Sequence, residues 1–467
     1  MKKEAINFRM TYVVIMLALF NSTFLGIEYL FDNMMAYVTD SKGVVVAQSY
    51  VLGISVIGFL LFPGIHRFLK GNLRHVAVFT GSLIGIICIF VIQQHTSYQT
   101  ILVSGCIAFV LLGIAGSAVH YAAACMLNRS RHLAKIVGFA YAVGIFLQFI
   151  NNNFVRNDMT ESIVLSAFLA VLAVLYIRVD FGVMKNNQFE KSGYILKNKV
   201  ATGGLLVVIV ALMTCIFASL DNAVTLVHAS GSVDIGEWPR LLLALSGLTA
   251  GFLFDVKERR FMNIMMYCIT LLSTICVVII EFGGAFLIGL MMFYLSAGFF
   301  VVFFTTSFID LSYQMKTPEL WAGLGRAVNN ICTVITSTSS VTLLVSRSDM
   351  SMMITAIILF VLISITVFIY SNQFLNVGLR KEQKQEEKAE NEEERFSRFA
   401  ETFELTEREQ EVLRALLSSD DNVQEIADQL FMSRAALYRH IGSLNEKTKT
   451  KSRIGILQFY YAWAKDN

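Results

Sequence analysis

Between residues 433 and 453 the chain gathers Arg434, Arg439, Lys447, Lys449, Lys451 and Arg453 against one acid, Glu446, while residues 404 to 432 hold eight acids and two bases. Guanidinium and ammonium groups concentrated this way suit phosphate oxygens, and a short helix carrying them suits the roughly 12 Å wide major groove of DNA. A second set of polar groups lies in long apolar runs. Asn21, Glu28 and Asp32 stand seven and four residues apart, on one face of a helix. Asp221 and Asn222, His120, Gln148 and Asn151 to Asn153 add to them. An ionisable group in a membrane helix costs ~2.5–3.5 kcal/mol on insertion scales and so faces protein or a water-filled cavity. Asn21, Glu28, His120, Gln148, Asp221 and Asn222 are therefore expected to line a central ligand pocket. A third cluster, Arg326 with Asn329 and Asn330, suits structural pairing with Asp310 or Asp255, and Asp255 and Arg326 are candidates for conformational coupling. No phosphate-binding Gly-rich loop and no nucleophile–base constellation occurs, and the seven cysteines form no CxxC. The chain is not expected to be an enzyme or to hold a metal or cofactor.

The elements that position these groups follow from composition. Of 467 residues 55% are hydrophobic, only 16% are charged, and mean hydropathy is +0.60, which excludes a wholly soluble protein. Residues 1 to 370 carry 40 Asp, Glu, Lys and Arg and the last 97 residues carry 33, dividing the net charge into +6 and −3. Apolar runs near 12–31, 44–66, 76–92, 99–127, 136–155, 162–179, 201–227, 239–256, 261–280, 284–308, 322–345 and 351–370 predict twelve membrane helices. Lys2, Lys3 and Arg9 precede the first run, which reads as a retained anchor. With both termini inside, the inner segments hold 18 Lys and Arg and the outer loops four: Lys42, Arg156, Arg240 and Arg347. A lipid bilayer is the expected setting, and the bacterial cytoplasmic membrane the expected place.

The loop from Arg178 to Lys199 divides the body into halves of about 1–180 and 200–370. At an offset of 193, Ala18, Leu19, Phe24 and Glu28 fall on Ala211, Leu212, Phe217 and Asp221, and Gly58-Phe59-Leu60 falls on Gly251-Phe252-Leu253, the register of a duplication. The end of the eighth run, Gly251-Phe252-Leu253-Phe254-Asp255-Val256-Lys257-Glu258-Arg259-Arg260, resembles the cytoplasmic loop motif of the major facilitator superfamily. The resemblance implies that Asp255 accepts hydrogen bonds from a neighbouring helix end. The first-half copy departs from it, with Phe62 in place of the acid and Pro63 following, which puts transport turnover in doubt.

In the tail, residues 371–401 read as a charged helical or mobile linker without an apolar seam, and 402–467 as a four-helix domain. Thr406 and Glu409 make a capping box, Asn422 and Ser433 cap the second and third helices, Phe431 and Met432 turn between these two, and Ser452 opens the fourth. Leu405-Thr406-Glu407-Arg408-Glu409, Val412-Leu413, Glu425-Ile426-Ala427, Leu430, Ser433, His440, Lys447 and Ser452-Arg453 resemble the LuxR-type (GerE) DNA-binding domain in order and spacing. That resemblance implies base reading by Tyr438, Arg439 and Gly442, phosphate contacts by Ser433, Arg434, Lys447 and Lys451, and dimer contact through Ser452 to Trp463. Ala436-Leu437 stands where the family usually has Thr-Val.

The fold expected is therefore all-α: a polytopic twelve-helix bundle in two pseudo-repeated sets of six, major facilitator-like, then a small LuxR-type helix-turn-helix domain. The function expected is that of a membrane-bound one-component regulator that senses a small-molecule ligand and binds promoter DNA as a homodimer. A facilitator-type transporter with a regulatory DNA-binding tail is the alternative, and a ligand-independent DNA tether a third.

Overall fold

A computed structural model provides the coordinates, and the structure describes residues 2–127, 130–155, 157–179, 199–229, 238–281, 286–346, 349–418 and 423–466. Among these, all regular structure is helical. The chain divides into two units, Met1–Gln373 and Phe374–Asn467.

The first unit contains α1 (Lys2–Ala36), α2 (Ser41–Phe68), α3 (Asn72–Gln93), α4 (Tyr98–Met126), α5 (Leu133–Phe154), α6 (Asp158–Ile177), α7 (Lys199–Ala229), α8 (Pro239–Phe254), α9 (Met262–Glu281), α10 (Phe286–Ser312), α11 (Pro318–Ser346) and the start of α12 (Asp349–Thr402). Every one of the twelve apolar runs falls on one of these helices, within a few residues. Short polar residues start several: Asp40 caps α2 by accepting from the Gly43 N–H at 2.9 Å, Ser97 caps α4 through Thr100 at 3.2 Å, and Asn157 caps α6 through Met159 at 2.9 Å. Pro239 and Pro318 occupy first helical positions, where a missing N–H is harmless, whereas Pro63 lies inside α2 near its end. Nine helical segments among the described residues are long and apolar enough to cross a membrane. α3 turns Phe79 and Ile87 outward and α12 turns Val361 and Phe368 outward, apolar surface of the kind that faces lipid hydrocarbon.

The duplication is visible in the packing. α2 lies on α4 as α8 lies on α10, and α1 lies on α5 as α7 lies on α11; the halves meet where α2 packs on α11 and α5 on α8. Gly58 and Gly251, matched by the 193-residue offset, both serve close approach. A Cβ on Gly58 would strike the Val110 backbone oxygen, and one on Gly251 would stand 2.7 Å from the Ala134 oxygen. The loop separating the halves lies, from residue 180 to 198, outside the described residues, as do Arg156, Arg347 and Asn422.

The second unit is built from the end of α12, α13 (Glu407–Ser418), α14 (Val423–Gln429), α15 (Arg434–Thr448) and α16 (Arg453–Asp466). Val412, Leu413, Ile426, Leu437, Leu444 and Ile456 form its core. That core also takes in Phe396, Phe399 and Ala400, which the sequence assigns to the linker. The reason is aromatic: Phe399 is fully buried against Phe403, Phe459, Tyr460 and Trp463, at ring separations of 4.6, 6.3, 5.0 and 5.2 Å. Arg414 locks the same segment by bonding Glu393 at 2.7 Å while lying 4.1 Å over the Phe396 ring.

Candidate nucleic-acid interface and membrane cavity

The tail's basic helix is held from both ends. The Ser433 hydroxyl accepts from the Ala436 N–H at 3.2 Å to start α15, and Lys449, in left-handed conformation (φ 55), closes it by donating its N–H to the Asn445 and Glu446 carbonyls. Phe431, also left-handed (φ 50) and 98% exposed, makes the turn before it. Leu437, Ile441 and Leu444 face the core, so Arg434, Tyr438, Arg439 and Gly442 are exposed on the opposite side. The Arg434 guanidinium lies 5.7 Å from the Tyr438 ring centre, and no atom stands within 4 Å of where a Cβ on Gly442 would lie. Lys451 is exposed beyond the helix end, where Ser452 caps α16 through the Gly455 N–H at 3.1 Å.

Lys447 has a task the sequence did not disclose. Its ammonium donates to Glu409 Oε2 at 2.7 Å and to the Glu404 carbonyl at 2.6 Å. Glu409 also accepts from the Thr406 N–H at 2.8 Å and from the Ser443 hydroxyl, while its own N–H donates to Thr406 Oγ1 at 3.4 Å. The capping box of α13 is thus joined to α15. Burial pushes the Glu409 carboxyl up, but the bonds from Lys447, Ser443 and Thr406 outweigh it and bring the pKa down to about 2. On α16, Leu457, Phe459 and Trp463 pack on the unit's own core, while Ile454 and Tyr461 remain 65% and 60% exposed.

In the bundle a cavity of about 140 Å³ opens between the halves, with Glu28 and Asp32 from α1, Asp221 from α7, Arg240 from α8 and Arg326 from α11 on its wall. Of the six residues expected there, Glu28 and Asp221 line it. Asn21, His120, Gln148 and Asn222 are buried beside it instead. His120 Nδ1 is 2.6 Å from the Gly116 carbonyl, and Gln148 donates to the Leu25 carbonyl at 2.8 Å, so both serve helix packing. Asn21 stands behind Arg326, whose Nη2 lies 3.5 Å from its Oδ1.

The arginines depart from expectation. Arg240, counted among outer-loop residues, is in the first turn of α8 and 8% exposed, because Pro239 starts the helix one residue earlier. Arg326 pairs with neither Asp255 nor Asp310. Its guanidinium lies 5.3 Å from the Phe24 ring and 5.4 Å from that of Phe304, facing the cavity. Arg259 takes both acids, with Nη1 3.3 Å from Asp255 and Nη2 3.3 Å from Asp310. Asp255 also accepts from the N–H groups of Ala134 and Lys135, at 3.2 and 2.8 Å, capping α5 across the interface between the halves. In the first half, where Phe62 replaces the acid, Arg67 instead bonds Glu319 in the first turn of α11 at 2.7 Å.

Residues 404–460 match the family described as bacterial regulatory proteins, luxR family. No curated protein matches the chain by sequence. Among solved structures, the Escherichia coli fucose:proton symporter is similar with a TM-score of 0.53 and 11% identity, over 79% of this chain and 98% of that one. The human organic anion transporter (TM-score 0.53, 14% identity, 77% and 98% coverage) and a bacterial homologue of the iron transporter ferroportin in its outward-facing state (0.52, 13%, 78% and 99%) are similar to the same degree. Identity this low carries the fold alone: the bundle has the major facilitator fold, and the tail carries a LuxR-type helix-turn-helix domain.

Proposed function

We propose that the protein is a one-component transcription regulator of the bacterial cytoplasmic membrane, with both termini cytoplasmic, whose bundle senses a small-molecule ligand and whose tail binds promoter DNA. The observation that carries this reading is the free face of α15: Arg434, Tyr438, Arg439 and Gly442 are exposed on a helix locked from behind by Glu409 within a luxR-family match. Tyr438, Arg439 and Gly442 meet base edges. Arg434 and Lys451 meet phosphates, and the Ser433 hydroxyl, accepting from Ala436, keeps its own proton to donate to one. Lys447 spends two donors on Glu409 and Glu404 and has one left for phosphate. A homodimer forms through the exposed positions of α16, Ile454 and Tyr461, because Trp463 is already covered by Phe399. The regulator family and the transporter fold are not enzymatic, and no catalytic step is assigned.

Duplex binding tests the reading. Arg439→Ala costs about 1–3 kcal/mol on the specific site and relaxes one base position, whereas Lys451→Ala weakens all sequences alike and lowers the salt slope by about one. Equal loss on specific and random duplex for Arg439→Ala removes its base-reading role. The transporter alternative draws on the interface held by Asp255 on α5, and net uptake of a promoter-inducing compound into proteoliposomes would establish it instead.

A further inference from the structure

The cavity in the bundle is charged in an uneven way. Glu28, Asp32 and Asp221 bring three carboxylates, and Arg240 and Arg326 two guanidiniums, yet no ion pair joins either arginine to these acids. Glu28 accepts from the Gln48 amide at 2.9 Å. One carboxyl oxygen of Asp32 and the Nε of both Arg240 and Arg326 are buried without a hydrogen-bond partner, in residues 5%, 8% and 7% exposed. Orphaned polar groups of this kind are costly in a folded core. Three such groups converging on one cavity mark a site that is completed by something else.

The signs are also sorted along α1. Arg326 lies beside Phe24, Phe304 and Asn21. Arg240 enters from the first turn of α8 onto the same wall as Glu28, Asp32 and Asp221. Glu28 and Asp32 stand one and two turns beyond Phe24, about 6 and 12 Å along the axis at 1.5 Å per residue. One end of the cavity therefore presents a lone guanidinium and the other three acids with one guanidinium among them. A purely anionic guest meets unpaired carboxylates, and a purely cationic one leaves Arg326 unpaired. We infer that the cavity takes a small zwitterion of dipeptide length, its carboxylate against Arg326 and its ammonium among Glu28, Asp32 and Asp221. Phe217, Tyr294 and Phe300 on the same wall receive its apolar part. This deepens the sensing role proposed above and rests on it only for its regulatory meaning, since binding is measured separately from promoter output.

The test uses the full chain in detergent and three matched probes: glycyl-phenylalanine, its C-terminal amide, which lacks the carboxylate, and its N-acetyl derivative, which lacks the ammonium. Thermal melting against probe concentration should give the dipeptide a Kd about tenfold or more below those of both relatives, the size expected for one charge-assisted contact at each end. Arg326→Gln should bring the dipeptide and its amide within about twofold of each other while leaving the acetyl derivative weak, and Asp221→Asn should narrow the gap to the acetyl derivative instead. The wild-type comparison decides even where a variant fails to assemble. Equal affinity for a one-charge relative, or no shift with any of the three, overturns the inference. Dipeptide binding with an unresponsive promoter would uphold it and remove the regulatory reading, whereas a promoter that answers only a one-charge relative would do the reverse.

Discussion

Glu409 in the tail and Asp32 in the bundle are carboxylates of nearly equal burial, 4% and 5% exposed, with opposite surroundings. Glu409 is saturated by Thr406, Ser443 and Lys447, whereas Asp32 keeps an oxygen with no donor. The difference separates two uses of buried polarity. A satisfied network fixes one conformation and makes a rigid platform, here for the face of α15. An unsatisfied one leaves free energy to be gained by a guest, the condition for a ligand to favour one state of the protein over another.

The largest effect belongs to the tail's aromatic seam. A fragment of residues 391–467 retains Phe396, Phe399 and Ala400 in its core, and one of residues 402–467 loses all three. Removing a fully buried phenylalanine alone costs about 3–5 kcal/mol, so the shorter fragment unfolds at lower urea by at least about 3 kcal/mol of stability. Equal midpoints would return this segment to the linker.

Next is Glu409→Gln. The amide cannot answer the Lys447 charge, and about 2 kcal/mol of tail stability is lost. This lies below the ~3–5 kcal/mol of a fully buried pair because the Lys447 side chain is 29% exposed. The sign of the pH dependence follows from the low folded pKa. Near 2 when folded and ~4.3 when unfolded, Glu409 contributes in full above about pH 4.3 and loses its contribution as pH falls through about 2. Urea midpoints of wild type and variant between pH 2 and 5 should converge toward the acid end, and parallel curves would contradict the assigned partners.

Asp32→Asn sharpens the contrast from the other side. It removes a buried carboxyl that has an orphaned oxygen, so thermal melting of the full chain without ligand should be unchanged or higher by the equivalent of up to about 1 kcal/mol. A loss as large as that of Glu409→Gln would show that Asp32 is structurally paired after all.

What could be read from the sequence follows the same division. Twelve apolar runs, the 193-residue register and the caps at Thr406, Ser433 and Ser452 are local or periodic signals, and each has its counterpart in the structure. The pocket was only partly legible. Glu28 and Asp221 stand out as acids in apolar runs, but Arg240, at the start of the 239–256 run, counts with the outer-loop residues, and Arg326 reads as a partner for Asp255 because nothing in the sequence shows that Arg259 takes that acid. His120 and Gln148 are ambiguous for the opposite reason: a polar side chain bonded to its own helix or to another, as these are to Gly116 and Leu25, has the same sequence signature as one facing a cavity. The aromatic seam is not legible in the sequence because Phe396, Phe399 and Phe403 are spaced three and four residues apart in a run otherwise dominated by charge, too short a stripe to read as packed.

The smallest change falls on the platform itself. Gly442 sits inside α15 on the exposed face, where glycine costs about 1 kcal/mol of helix stability relative to alanine, and an added Cβ would touch nothing in the folded tail. Gly442→Ala should therefore raise the urea stability of the 391–467 fragment by up to about 1 kcal/mol. If the Tyr438–Arg439–Gly442 face lies in the groove, the same methyl occupies space that the base edges need, and binding to the specific duplex weakens while the fold grows stronger. Opposite signs in the two measurements would mean that the missing side chain serves recognition at the expense of the helix. A more stable fragment that binds the duplex as before would take Gly442 off the reading face and leave Tyr438 and Arg439 to carry it.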